Sequence, residues 1–578
     1  MAGFVLPFIF TRMNLKSFRN TLLQSNYFAG STEKGIESEQ EWIYRVADYI
    51  SEAELIYGNF SDKIKWRNRY LDILNTFRFL PNSPTLMNAG TSNPQLSACF
   101  VLPANPNHHN FFSLLNNIGL IHGFAGGTGF NFSNFLQTKN SRVSSPHFIS
   151  DPLSAIRIID KLTDETNMQN RRRGANMAVI NFNHPKVNEF VSAKYNDTQN
   201  QYSHFNFSVL ITDDEIETIA NRYYKKSSCL NCSSQSYQKW KQLIFGAWKC
   251  GDPGLLFFDT INKTNPLPLL GPINSTNPCG EVPLFPYESC NLGSINLPKY
   301  IRGKSIDWYG LKRDIFIAIR FLDSVIDVNQ FVLPEIEEIT KGNRKIGLGL
   351  MGWAHFLIQL EIPYASTNAV TLARTVMRFV KHYSLQASMK LAVEKGTFTN
   401  WKYSKFYNRL KLRNATMNAI APTGSISIIA QTSYSIEPLF ALAYSKNSDI
   451  LNTSLSDFDV EFKRFCIKEN LWTTKTRKYV LENGSIKNLT LNKKIKKLFL
   501  TANEISPYWH LQHQKAFQDF TDNAVSKTVN LPFSATELDV ETIYLNAWKL
   551  NLKGITVFRD SSNRTQAITK GFCHSPSC

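Results

Sequence analysis

Pro278 and Gly280, one on each side of Cys279, constrain the chain more than any other local feature. A proline removes a backbone donor and pushes the residue before it into an extended conformation. The glycine permits a tight loop. Helix is thereby excluded around the cysteine. In an extended chain side chains alternate with period two, so Asn277, Cys279 and Glu281 project to one face. An amide, a thiol and a carboxylate on one side of a narrow loop can carry chemistry. From this stretch alone, a proline turn holding a structural cysteine is the better reading.

The remaining cysteines bear on that choice. There are nine in 578 residues, at positions 99, 229, 232, 250, 279, 290, 466, 573 and 578. Too sparse for a disulfide scaffold, they read as intracellular, cytoplasmic redox or catalytic thiols. Cys229-x-x-Cys232 has no second pair at zinc-binding spacing, so no metal site is expected. Cys573 and Cys578 form a close pair on a polar end, suited to exchange with a disulfide elsewhere, or are incidental. The formal net charge of +18 points to polyanionic partners, but the basic residues are scattered, with local clusters only at Arg171–Arg173 and Lys493–Lys497. No specific nucleic-acid partner is expected. With 43% hydrophobic residues and no apolar run of 18, a large core without a membrane span is expected. Residues 1–10 are mostly apolar and precede Arg12, the reverse of a secretory signal, and read as a frayed end with Met13 as an alternative start.

Along the chain, Trp42, Val46 and Ile50, then Tyr70, Leu74 and Phe77, recur at helical spacing and predict a small helical region. Pro81–Thr85 breaks it, and Ser97–Leu102 reads as a strand. The glycines of 126–129 suit close backbone approach, and residues 153–166 read as a helix. Strands and helices then alternate, which predicts α/β architecture. Residues 225–238 and 483–497 read as polar surface insertions, and the chain turns polar after Asp560. Gly347–Gly352 matches G-x-G-x-x-G, yet residues 368–374 hold no acid for a ribose, so tight helix packing explains it better than a dinucleotide site. In 421–427, hydroxyls and Gly424 at a possible helix start make either an anion cradle or a plain N-cap.

Taken together, these strings resemble the ribonucleotide reductase catalytic chain, most closely the adenosylcobalamin-dependent class II. The resemblance runs from about residue 78 to 565, through LPNSPTLMNAG, LSACFVLP, GGTGFNFS, RRRGANM, NPCGE, ESCNLGSINL, GNRKIGLGLMG, APTGSISIIAQTS, IEPLF, TDNAVSKTVNLP and KGITVFRD, in the family's order. It implies a helical region over 1–78, a ten-stranded α/β barrel of two half-barrels with a central finger loop over 79–565, and a flexible redox tail over 566–578. It further implies that Cys279 becomes a thiyl radical, that Asn277 and Glu281 are its amide and carboxylate neighbours, and that Cys99 and Cys290 supply two electrons. Cys573 and Cys578 match a tail dithiol re-reduced by thioredoxin or a similar dithiol. Thr423, Gly424, Ser425, Ile426 and Ser427 match the substrate-phosphate loop, and Ser83, Thr85, Ala98 and Gly127 match further substrate-lining positions. The implied substrates are ribonucleoside diphosphates, with triphosphates open, and a homodimer is possible in the family.

The implied chemistry suits these residue types. A thiyl takes the 3′ hydrogen of ribose and needs shielding from water. A buried carboxylate, its pKa raised by burial, can act as base at the 3′-OH. Two thiols supply the proton and electrons that release the 2′-OH as water. The class that receives its radical from a second subunit uses paired tyrosines where this chain reads Gly554–Arg559, and the glycyl-radical class needs a glycyl motif not found near the end. Adenosylcobalamin is therefore the expected radical source, with no short motif marking its ligands. A partner-dependent large subunit and a degenerate basic nucleotide or nucleic-acid binder stand as alternatives. Two departures are expected to weaken or alter the response to deoxynucleoside triphosphate effectors: Pro106 where an acid is common, and Gln169-Asn170 where a glycine pair is common.

Overall fold

The computed structural model describes residues 15–31, 35–135, 151–167, 174–225, 234–448, 453–560, 562 and 568–570. The chain opens with helices: α1 (Leu15–Leu22), α2 (Glu39–Ser51) and α3 (Phe60–Asn75). Reciprocal capping boxes, Ser38 with Glu41 and Asn59 with Asp62, start the last two and satisfy their first orphan N–H groups. Trp42, Val46, Ile50, Tyr70 and Leu74 are all buried on the faces their spacing predicts. Phe77 is not part of that helical face. Helix α3 stops at Asn75, and Phe77 takes a φ of 51°, which turns the chain into strand β1 (Phe79–Pro81).

One ten-stranded sheet follows. Its further strands are β2 (Cys99–Val101), β3 (Gly127–Asn131), β4 (Asn176–Asn181), β5 (Phe205–Ile211), β6 (Gly254–Phe257), β7 (Glu288–Asn296), β8 (Ile346–Met351), β9 (Thr528–Leu531) and β10 (Gly554–Arg559). Strands β2 to β6 pair in parallel, in chain order. So do β7 with β8, and β9 with β10. Antiparallel seams join β7 to β2 and β10 to β6. Segment 416–420 fills the remaining gap: Leu348 N–H donates to Met417 O (2.7 Å), Ile420 N–H to Ala524 O (3.2 Å) and Ser526 N–H to Ile420 O (2.9 Å). Two parallel halves thus close into a barrel, with β1 pairing against the far end of β7. This is the ten-stranded α/β barrel that the resemblance implies. Helices α5 (Trp308–Val328) and α6 (Thr367–Lys395) cover its outside beside α3, and two large apolar cores fill the space between helices and sheet.

Two local expectations are corrected. Gly347 and Gly349 lie within β8, and their tight packing is strand against strand: a Cβ at Gly349 would sit 2.4 Å from Ala419 O. Residues 483–497 are not a loose insertion, because Ile486 and Leu489 are buried with Phe462, Cys466 and Val480 in a small separate core. Among the described residues no helix is long and apolar enough to cross a membrane.

Candidate active site

Ser275–Thr276 and Pro283–Leu284 pair antiparallel as a short hairpin whose tip is Asn277–Val282. The hairpin reaches into the barrel against β3. Glycine is required there: a Cβ at Gly129 would fall 1.8 Å from Thr276 O, and one at Gly127 would fall 2.9 Å from Pro278 Cγ. The tip is tied to both halves of the barrel. Asn206 Nδ2 in β5 donates to Pro278 O (2.8 Å), and Ala524 N–H, across the barrel, donates to Glu281 O (2.8 Å). Gly280 adopts a φ of 80° at the turn. Asn277 works in two directions. Its Oδ1 accepts from Val282 N–H (3.0 Å) and closes the loop, while its Nδ2 donates to Cys99 Sγ (3.2 Å).

A cavity of about 210 Å³ lies on one side of the tip. Asn277, Cys279, Glu281, Cys99, Ala98, Gly127, Ser83 and Thr423–Ile426 line it. Glu281 and Asn277 are each 2% exposed, whereas Cys279 is exposed to the cavity space. Cys290 does not line the cavity. It stands directly opposite Cys99 across the β7–β2 seam, fully buried, with its Sγ on Asn291 O (3.3 Å). Directly opposed residues on antiparallel strands have Cα separations of about 4.5–5.5 Å, inside the range a disulfide spans. Burial pushes the Cys290 thiol up, and the Glu288 carboxylate adds to this, so it is held protonated.

The far end of the cavity is a cradle. Thr423 sits at a φ of 56°, a strained position for a β-branched residue, and precedes α7 (Gly424–Ile429). Two hydrogen bonds hold it there: its Oγ1 accepts from Ser435 N–H (2.7 Å) and pairs with Ser427 Oγ (2.8 Å). The first N–H groups of α7 have no partner within the helix and lie at the cavity wall. Two expected lining residues stand back from it. Thr85 Oγ1 lies within hydrogen-bond reach of Asn82 Oδ1 (2.5 Å) and Leu96 O (3.0 Å), either of which can take its one proton, and Ser427 braces Thr423 from behind. Cys573, Cys578, Gln169 and Asn170 lie outside the described residues.

A second cavity, about 280 Å³, opens on the other side of the same tip. Cys279 and Gly280 line it together with Asn206, Ser208, Gln514, Lys527 and Thr556. Gln514 donates through Nε2 to Gly554 O (2.9 Å), while its Oε1 is buried with no hydrogen-bond partner. Lys527 donates to Glu437 Oε2 (2.5 Å), and burial, outweighing that carboxylate, lowers its pKa. Asn206, Gln514 and Lys527 escaped the sequence reading. Gln514 and Lys527 lie in mixed polar stretches, His510–Gln518 and Thr521–Asn530, so no local contrast marked them.

Comparison with known proteins places this geometry in a family. The profile described as "Ribonucleotide reductase, barrel domain" matches residues 97–237, 214–411 and 407–558, and "Ribonucleotide reductase, all-alpha domain" matches 16–94. A Thermoplasma acidophilum protein named "Vitamin B12-dependent ribonucleoside-diphosphate reductase" is 42% identical over 555 residues, covering 92% of this chain and 72% of its own. A Mycobacterium tuberculosis protein of the same name is 38% identical over 556 residues, covering 95% and 80%. The solved Actinobacillus ureae class Id ribonucleotide reductase alpha subunit shares the fold at a TM-score of 0.77 and 22% identity, covering 95% of this chain and 98% of its own. With its barrel, its helical region and a cysteine-bearing finger between two cavities, the chain belongs to the ribonucleotide reductase family.

Proposed function

We propose that this chain is a cytoplasmic, adenosylcobalamin-dependent reductase of ribonucleoside diphosphates. One observation carries the reading: Asn277, Cys279, Glu281 and Cys99 face the same cavity that ends in the Thr423–Ile426 cradle. It is supported by relatives at 42% and 38% identity whose names contain both the vitamin and the diphosphate substrate.

In this reading the substrate's phosphates occupy the cradle and its ribose lies against the finger. Cys279, as a thiyl, takes the 3′ hydrogen and becomes a thiol. Glu281 accepts the 3′-OH proton, and Asn277 fixes Cys99 beside the ribose. The 2′-OH leaves as water. The Cys99–Cys290 dithiol supplies the two electrons and the hydrogens, and becomes a disulfide. Cys279 then returns the 3′ hydrogen and is again a thiyl. Thioredoxin or a similar dithiol regenerates the pair through Cys573 and Cys578. The second cavity fits the adenosyl portion of the cofactor: the carboxamides of Asn206 and Gln514 and the hydroxyls of Ser208 and Thr556 suit a nucleoside, beside the same thiol. When bound, adenosylcobalamin supplies the radical chemistry that this thiol needs.

Purified protein with CDP, adenosylcobalamin and a dithiol should form dCDP. No product, or product only after a radical-generating partner subunit is added, overturns the reading. Cys573→Ser should stop turnover after about one equivalent with thioredoxin while leaving small-dithiol turnover intact. Effector control is expected to be altered, since Pro106 is buried and offers neither charge nor N–H. Ordinary switching among four substrates by deoxynucleoside triphosphates would remove that expectation.

A further inference from the structure

We propose that Tyr27 and Arg19, from the N-terminal helical segment, are positioning residues for the phosphate end of the substrate cavity. They act through Ser83 on one wall and through α7 on the other. The inference rests on the reading just given, in that the cradle takes a pyrophosphate.

Ser83 begins α4 (Ser83–Asn88) and lines the cavity, 7% exposed. Its Oγ is 2.8 Å from the hydroxyl of Tyr27, a residue itself 2% exposed. A serine hydroxyl has one proton to give and two lone pairs. An anion in the cavity needs that proton. With the Tyr27 O–H donating to Ser83 Oγ, the serine's own O–H is left to turn toward the ligand. Without the phenol, Ser83 loses both its orientation and its donor. The same region grips α4 at two further points. Trp42 Nε1 donates to Leu86 O (2.8 Å), and Arg45 donates to Ala89 O and also to Tyr27 O (3.3 Å).

The α7 side of the cavity is gripped too. Arg19 Nε donates to Ile429 O (2.7 Å), the last carbonyl of α7, whose first residues form the cradle. Its guanidinium is fixed by both oxygens of Glu39 in α2, at 2.9 and 2.8 Å. A cation on a C-terminal carbonyl completes the helix end and holds its register. Residues 19–28 therefore reach both walls of one cradle, and the cavity is composite rather than a property of the barrel alone.

Binding of CDP and of cytidine, measured by calorimetry or by competition, tests this. Tyr27→Phe should weaken CDP by about three- to tenfold, the loss of one oriented hydrogen bond, and leave cytidine unchanged. In turnover the change should appear in KM rather than kcat. Arg19→Gln should act in the same direction. In a Ser83→Ala background, Tyr27→Phe should have no further effect, a result that a general loss of stability would not give. Tyr27→Phe that binds CDP like wild type, or that weakens CDP and cytidine equally, overturns the inference while the proposed function stands. Wild-type protein that binds CDP no better than cytidine overturns the phosphate assignment itself, and this inference with it.

Discussion

At the scale of single residues, the site separates its thiols by environment. Cys279 stands exposed between two cavities, and Cys290 is sealed behind Cys99 with its pKa raised by burial. Iodoacetamide under native conditions near pH 8 should therefore alkylate Cys279 at least about tenfold faster than Cys290, because only the thiolate reacts. Peptide mass spectrometry reads this directly, and equal rates would contradict the buried seam. Cys279→Ser should abolish reduction with nucleotide binding largely retained. Gly129→Ala places a methyl where Thr276 O already sits at 1.8 Å. Overpacking of this kind costs about 1–3 kcal/mol or displaces the finger, so activity should fall far more than the melting temperature.

At the scale of elements, local pattern was a good guide where one face of an element meets solvent. The α2 and α3 faces follow from helical spacing and their capping residues. β2 is buried on both faces and was marked instead by its continuous apolar run around Cys99. Barrel closure was implied by the resemblance but not legible in the local pattern. Residues 417–420 are buried on every side, so no alternation marks them, and each partner is distant in sequence. The Gly347–Gly349 spacing was visible, but its reason lies in Ala419, about 70 positions away. The finger's three-residue face was readable from its proline and glycine. Its second cavity was not, because Gln514, Lys527 and Thr556 come from separate late elements. Gly349→Ala should force β8 away from segment 416–420. The expected result is a lower melting temperature together with weaker CDP binding, since that segment leads into the cradle.

At the scale of the whole molecule, a buried charge network joins the helical region to the barrel. Glu54, with its side chain 2% exposed, accepts from Arg320 Nη2 (2.5 Å) on α5 and Lys395 Nζ (3.0 Å) at the end of α6. Burial alone would raise its pKa, but the hydrogen bonds and charges of Arg320 and Lys395 outweigh burial and hold it below the usual 4.5. Since the folded pKa is the lower one, this stabilisation is complete above about pH 4.5 and is lost as pH falls through the folded value. Glu54→Gln would strand the buried Lys395 and leave Arg320 with Glu394 alone, at a cost of about 3–5 kcal/mol, and would flatten the acid limb of the stability–pH curve. Thermal melts of both proteins between about pH 3 and 7 check it; an unchanged acid limb would assign the acid sensitivity elsewhere.

The order in which the barrel's parts occur in the chain has a consequence for biogenesis. The finger occupies 275–284, yet the strands that complete the ring around it, 416–420, Thr528–Leu531 and Gly554–Arg559, arrive later, the last of them about 270 residues after the finger. On the ribosome Cys279 is made long before its housing exists. Such distant pairings form slowly, and incomplete chains expose apolar edges. A nascent chain halted before residue 554 should therefore be cleaved by protease at the finger, and the full-length chain should not. A chain that lacks Gly554–Arg559 therefore lacks the strand that pairs β9 with β6, and the barrel around the finger stays open.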